Sequence, residues 1–276
     1  MNGISAVRSV LFLPASNPRA IGRARESAAD LVILDLEDAV KPEDKEQART
    51  AAAEAVASEW PMPVAIRVNG VGTKWHSLDV DAVARSQAQF VVLPRATSAH
   101  LAHEVVEATD KPLLAMIETA AGVLAAAEIA SASAALIAGT NDLRADLRVP
   151  IANDRSPILT ALQIIVLAAR AAGIAVFDGV FNDLENLDGF AAQCAEGRRL
   201  GFDGKSLIHP KQIEPCNHAF SPSEEEIARA KRLIEAYGGG AERFDGQMIE
   251  RMHVEAAGRI LDRMDSTPLD GSTLPT

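Results

Sequence analysis

Eight short runs rich in valine, isoleucine and leucine recur along the chain, each followed by a stretch of helical period. This alternation restricts the fold more than any other feature. The runs fall at 7–14, 31–38, 63–70, 89–95, 112–119, 134–139, 174–180 and 204–210. Several are almost continuously apolar, as strands covered on both faces must be. Strands that alternate with helices imply a parallel sheet joined by right-handed crossovers. Eight units within residues 1–220 predict an α/β fold, a closed (β/α)₈ TIM barrel. No Gly-x-Gly-x-x-Gly turn follows the first run, which disfavours an open doubly wound sheet.

The remainder reads as a C-terminal helical extension or lid, 221–264, and a disordered tail, 265–276. Ser221 is the expected N-cap, with Pro222 at the first helical position and Glu224 completing a capping box. Gly238, Gly239 and Gly240 open a flexible joint, and a further amphipathic helix follows. The net charge of −11 argues against general nucleic-acid binding but leaves room for a small anionic substrate. Early Arg8 and a short apolar run make a poor signal peptide. The longest apolar window is broken by Gln163 and Arg170, so no membrane span is expected. Cys194 and Cys216 match no disulfide or metal-finger pattern, which suits a cytoplasmic protein.

Polar residues concentrate where the strands should end. The ends read Asp35-Leu36-Glu37-Asp38, Arg67-Val68-Asn69-Gly70, Pro94-Arg95, Glu118-Thr119, Asn141-Asp142, Asp178 and His209-Pro210. In a parallel barrel these ends share one mouth, where the active site lies. Glu118 and Asp142 close successive strand–helix units. Two carboxylates completed by water and substrate oxygens describe a Mg²⁺ site, with Mn²⁺ as the alternative. Arg67 offers a planar fork for a carboxylate or an enolate oxygen, and Glu37 or Asp38 would pair with it. Asp35 and Asp38, an odd step apart, should face opposite sides of the sheet. His209 either braces the barrel end or touches substrate.

At these residues the chain resembles the citrate lyase β-subunit-like family, the acyl-CoA lyases of the HpcH/HpaI aldolase/citrate lyase group, which includes malyl-CoA and citramalyl-CoA lyases. The carrying motifs are RSVLFLPASNPR, DLVILDLEDAV, IRVNG, VVLPR, MIETAAGVLAAAEIA, GTNDLRADL and GKSLIHPKQI. The resemblance implies a Mg²⁺-dependent barrel, a homotrimer or hexamer, that breaks or forms a carbon–carbon bond in a β-hydroxyacyl thioester. By motif position it makes Glu118 and Asp142 the metal ligands and Arg67 the substrate-binding arginine, with Glu118 and Pro94 also at the substrate. It puts Arg8 near the thioester, and the partners are a CoA thioester and a 2-oxo acid. Cleavage would give acetyl-CoA and a 2-oxo acid, with Arg67 stabilising the enolate and Glu37 and Asp38 in support. Glu250, in GQMIE, takes the place of a lid aspartate that reaches a neighbouring subunit's site and moves a proton. Arg95 stands where many members have lysine. A citrate lyase β-subunit acting on a carrier-bound citryl group, a malyl-CoA thioesterase and an idle interaction barrel are the competing readings.

Overall fold

The computed structural model describes residues 3–150 and 154–265. Eight parallel strands close into a barrel in sequence order: β1 Ser9–Pro14, β2 Leu31–Asp35, β3 Val64–Arg67, β4 Phe90–Leu93, β5 Leu113–Ile117, β6 Ala135–Ala138, β7 Ala175–Asp178 and β8 Gly204–Leu207. Every predicted run contains one of them. The strands are shorter than the runs because the polar ends leave the ladder. Closure pairs Ser9 with Lys205 and Val10 with Ser206. A Cβ at position 204 would overlap the backbone of Arg8, so glycine permits that last approach.

Strand residues alternate between two apolar environments. Val10, Ile33, Ala65, Val92, Met116, Ile137 and Phe177 point into the barrel. Leu11, Leu34, Ile66, Val91, Ile117 and Val176 point out, against the helices. Neither face meets water, hence the unbroken hydrophobic runs.

The surrounding helices are α1 Pro18–Arg25, α2 Lys45–Val56, α3 His76–Ala84, α4 Ala99–Thr109, α5 Ala120–Leu124 and α6 Ala126–Ser131. They continue with α7 Thr140–Asp146, α8 Leu159–Ala172, α9 Leu187–Leu200 and α10 Ile213–Phe220. Short polar side chains start several of them: Asn17, Ser98 and Asn186 each accept a backbone N–H at the N-cap. Among the described residues no helix is long and apolar enough to cross a membrane.

Beyond the barrel lie α11 Glu224–Ala236, a hairpin of β9 Glu242–Phe244 and β10 Gln247–Ile249, and α12 Arg251–Asp265. Two expectations are corrected here. The N-cap of α11 is Ser223 with Glu226 as its reciprocal partner, not Ser221 with Glu224. Ser221 ends α10 instead, its hydroxyl donating to Asn217 O and accepting from Arg8. The segment expected as a loose joint is in part an ordered hairpin. Asp245 and Gly246 both have positive φ, the two-residue turn that matches strand twist. Ile249 then packs with Ala230, Leu233 and Ala257 in a small core of its own. The expected disordered tail, beyond residue 265, lies outside the described residues.

Candidate active site

Asp35 lies opposite Arg67 in the β2–β3 register, and both share the inward parity of Ile33 and Ala65. Arg67 Nε and Nη2 donate to the two Asp35 oxygens at 2.7 Å each. Its Nη1 lies 2.8 Å from Glu37 Oε2, and the guanidinium covers the Phe12 ring at 5.3 Å. Burial works against the charge on Arg67, but Asp35 above all, then Glu37 and Glu118, outweigh it and hold its pKa above the ordinary arginine value. The fork is thus fixed in direction and permanently cationic.

Asp35 also accepts the N–H groups of Glu37 and Ala39. The chain leaves the strand at Asp35 and coils around that carboxylate. Alternation lapses there, so Asp35 and Asp38 line one cavity, contrary to the expectation that they face apart. Glu37, rather than Asp38, pairs with Arg67.

Glu118 follows β5 directly, and its Oε1 accepts the Arg95 N–H at 2.7 Å. Gly139, at the end of neighbouring β6, passes so close that a Cβ there would overlap the Glu118 carboxylate. Asp142 stands in the first turn of α7 and lines the same cavity. Burial lifts the Glu118 pKa to about 7; the Arg95 N–H and Arg67 oppose this, and Asp142 and Asp38 reinforce it. Burial lifts Glu37 to about 8 despite Arg67, with Asp38, Glu118 and Asp35 adding to the effect.

The cavity encloses about 360 Å³ at the carboxyl ends of the strands, walled on its apolar side by Phe12, Met116, Val180 and Ile208. Asp35, Asp38, Glu118 and Asp142 line it, with Glu37 behind Arg67, and they are countered by Arg67 and by Arg95, whose Nη1 lies 3.6 Å from Asp142 Oδ1. An excess of carboxylate oxygens at one mouth is the chemistry of a hard divalent cation. Among the described residues no three or more His, Cys, Asp or Glu side chains gather closely enough to enclose an ion. Glu118 and Asp142 fit a two-carboxylate site that takes its other ligands from water and substrate.

Residues 8–210 match the model of the HpcH/HpaI aldolase/citrate lyase family. The chain belongs to that family. A (3S)-malyl-CoA thioesterase of Cereibacter sphaeroides is 40% identical over 277 residues, spanning 96% of this chain and 97% of its own. The citrate lyase subunit beta of Leuconostoc mesenteroides subsp. cremoris is 35% identical, spanning 95% and 94%. Protein CitE from Mycobacterium tuberculosis, solved in complex with magnesium, acetoacetate and coenzyme A, superposes with a TM-score of 0.83 at 33% identity, covering 94% of this chain and 98% of that one.

Not every strand-end residue of this aldolase/citrate lyase family member reaches the mouth. Arg8 precedes β1, so it sits at the amino end of the barrel, bound by Asp30 through Nε at 2.8 Å and by Ser221. It is a brace there, opposite the face expected for a thioester contact. Asp178 shares the outward parity of Val176 and is fully buried between Arg155 and Lys205, at 2.8 and 2.9 Å. It ties the barrel to its helices instead of facing the cavity. His209 caps a turn by accepting the Lys211 N–H. Pro94 is buried in the turn after β4 and is not among the residues that wall the cavity. Glu250 is exposed just before α12 and does not line its own chain's cavity.

Asp35 anchors Arg67, a part that the residue pattern alone does not assign to it. Its signal was an acid at the end of an apolar run one strand before Arg67, but only the β2–β3 register makes them partners.

Proposed function

We propose that this protein is a Mg²⁺-dependent carbon–carbon lyase acting on a β-hydroxyacyl thioester of the malyl-CoA or citramalyl-CoA kind, releasing acetyl-CoA and a 2-oxo acid. One observation carries the reading: a buried arginine, fixed by two carboxylates, faces a second carboxylate pair across one small cavity. The names of the relatives and the ligands of CitE support it. When bound at Glu118 and Asp142, Mg²⁺ supplies Lewis-acid polarisation to a 2-hydroxy carboxylate.

The chain's own groups account for the rest. Arg67 presents fixed positive charge to the enolate oxygen that develops on cleavage, a contribution worth several kcal/mol in a site that excludes water. Glu37 touches Arg67 and, with its pKa lifted to about 8 by burial, takes the substrate hydroxyl proton once it is ionised, increasingly so as pH rises above neutrality. Asp38 lies at the mouth as its neighbour. Phe12 and Met116 keep the floor dry. Glu250 serves a second copy of the chain in a homo-oligomer, protonating the enolate carbon there.

Hydrolysis of the thioester is the second reading, favoured by the 40% identity to a malyl-CoA thioesterase along nearly the whole chain. The two differ in products. Incubating the enzyme with malyl-CoA and citramalyl-CoA, then measuring 2-oxo acid and free CoA separately, decides between them. Cleavage yields 2-oxo acid with acetyl-CoA; hydrolysis yields free CoA and the hydroxy acid. Glu118→Ala and Asp142→Ala should each lower either turnover by at least about a hundredfold. Full turnover in either variant would remove the site from the reaction.

A further inference from the structure

Arg95 adopts a left-handed backbone conformation, φ +49°, in the turn that follows β4. Glycine takes this conformation without strain, whereas a side chain is disfavoured there. The turn has a use on each side. Its N–H donates to Glu118, and the next residue, Ala96, donates to Met116 O at 3.1 Å. With the backbone pinned in this way, the guanidinium is carried over Asp142.

The contact with Asp142 differs in kind from the one that holds Arg67. At 3.6 Å it exceeds hydrogen-bond distance, and the side chains are 55% and 39% exposed. Asp142 is the only acidic partner of the Arg95 guanidinium among the described residues. Such a pair is loose and solvent-screened. Arg67, in contrast, has Nε, Nη1 and Nη2 engaged by Asp35 and Glu37. The mouth therefore has one fixed guanidinium and one that can move.

We infer that Arg95 is a positioning residue that exchanges partners: it balances Asp142 until a divalent cation takes that carboxylate, and then receives the carboxylate of the 2-oxo acid. The inference rests on the proposed metal site. A cation bound at Asp142 repels a guanidinium this close, and its repulsion is what frees the fork. The planar fork suits a carboxylate, and Arg95 stands beside Asp142, which lines the cavity. The same residue thus opposes empty loading of the metal and favours the loaded, substrate-bound site.

This exchange has a signature of opposite sign on two ligands. Mn²⁺ titrated into wild-type protein and into Arg95→Gln, followed by the electron paramagnetic resonance of free ion, should show the variant binding Mn²⁺ several-fold tighter. The difference should shrink as salt is raised. Arg95→Lys, which keeps the charge, should stay near wild type. Pyruvate titrated into the Mn²⁺-loaded proteins by calorimetry should bind Arg95→Gln several-fold more weakly. Unchanged or weaker Mn²⁺ binding by Arg95→Gln overturns the proposal, as does undiminished pyruvate affinity. Wild-type protein that binds no Mn²⁺ sinks the metal site and this proposal with it. Tight wild-type binding with no effect of Arg95→Gln sinks this proposal alone.

Discussion

Gly139 sets the position of Glu118 by having no side chain. Any Cβ there meets the Glu118 carboxylate, so Gly139→Ala should displace that carboxylate and weaken Mn²⁺ binding at least tenfold. Overpacking of this kind costs about 1–3 kcal/mol, so a modest fall in melting temperature should accompany it. The raised carboxyls make a second prediction. Glu118 at about 7 and Glu37 at about 8 still hold protons in the folded chain at pH values where the unfolded chain has released them. Without divalent ions, stability should therefore decline as pH climbs from about 4.5 to about 8, and Glu118→Gln should flatten part of that slope in thermal melts. Cation binding requires the ionised form, so Mg²⁺ affinity should rise by up to about tenfold per pH unit below 7 and level off above 8. A pH-independent Mg²⁺ affinity would show that Glu118 is not a ligand. The sequence marked Glu118 as interesting, but a tetrapeptide cannot say that its neighbour across the sheet is a glycine.

At the level of elements, β3 set against β7 and β8 shows the two uses of a charged residue in a barrel strand. Arg67 has inward parity and serves the cavity; Asp178 and Lys205 have outward parity and join the sheet to α9. Burial disfavours the Asp178 carboxylate, yet Lys205 and Arg155 outweigh that cost and hold its pKa below the ordinary value. Asp178→Asn leaves Lys205 buried without its counter-charge and should destabilise the protein by about 3–5 kcal/mol, readable in a urea unfolding curve. The Asp142 site lies elsewhere on the rim, so Mn²⁺ affinity of the folded Asp178→Asn protein should be unaltered. From sequence, Asp178 looked like one more acid at the mouth, because the run 174–180 does not disclose where its strand stops. The same uncertainty set Asp35 and Asp38 on opposite sides of the sheet, although both line the cavity, and moved the cap of α11 by two residues.

For the whole molecule, the proposed role of Glu250 depends on a second copy of the chain. Its own cavity does not contain it, and α12 runs back to the amino end of the barrel, where Arg263 contacts Asp203. If a neighbouring copy supplies Glu250, then Glu118→Gln and Glu250→Gln proteins, each inactive alone, should recover activity when unfolded and refolded together. Recovery absent from the mixture, with both variants oligomeric, would show that Glu250 does not act in a neighbouring copy's site. By itself the sequence determined the eightfold barrel, because runs apolar on both faces and interleaved with helices have few ways to bury their surface. It also determined the short list of chemistry, because acids and an arginine at the ends of such runs fall at one rim. The tertiary structure alone decided which of them work together. Parallel register pairs Asp35 with Arg67, the ends of strands set parity and send Arg8 and Asp178 away from the cavity, and close packing makes room for Glu118 only where β6 ends in glycine. Each of these depends on distances between segments far apart along the chain, which local pattern does not encode.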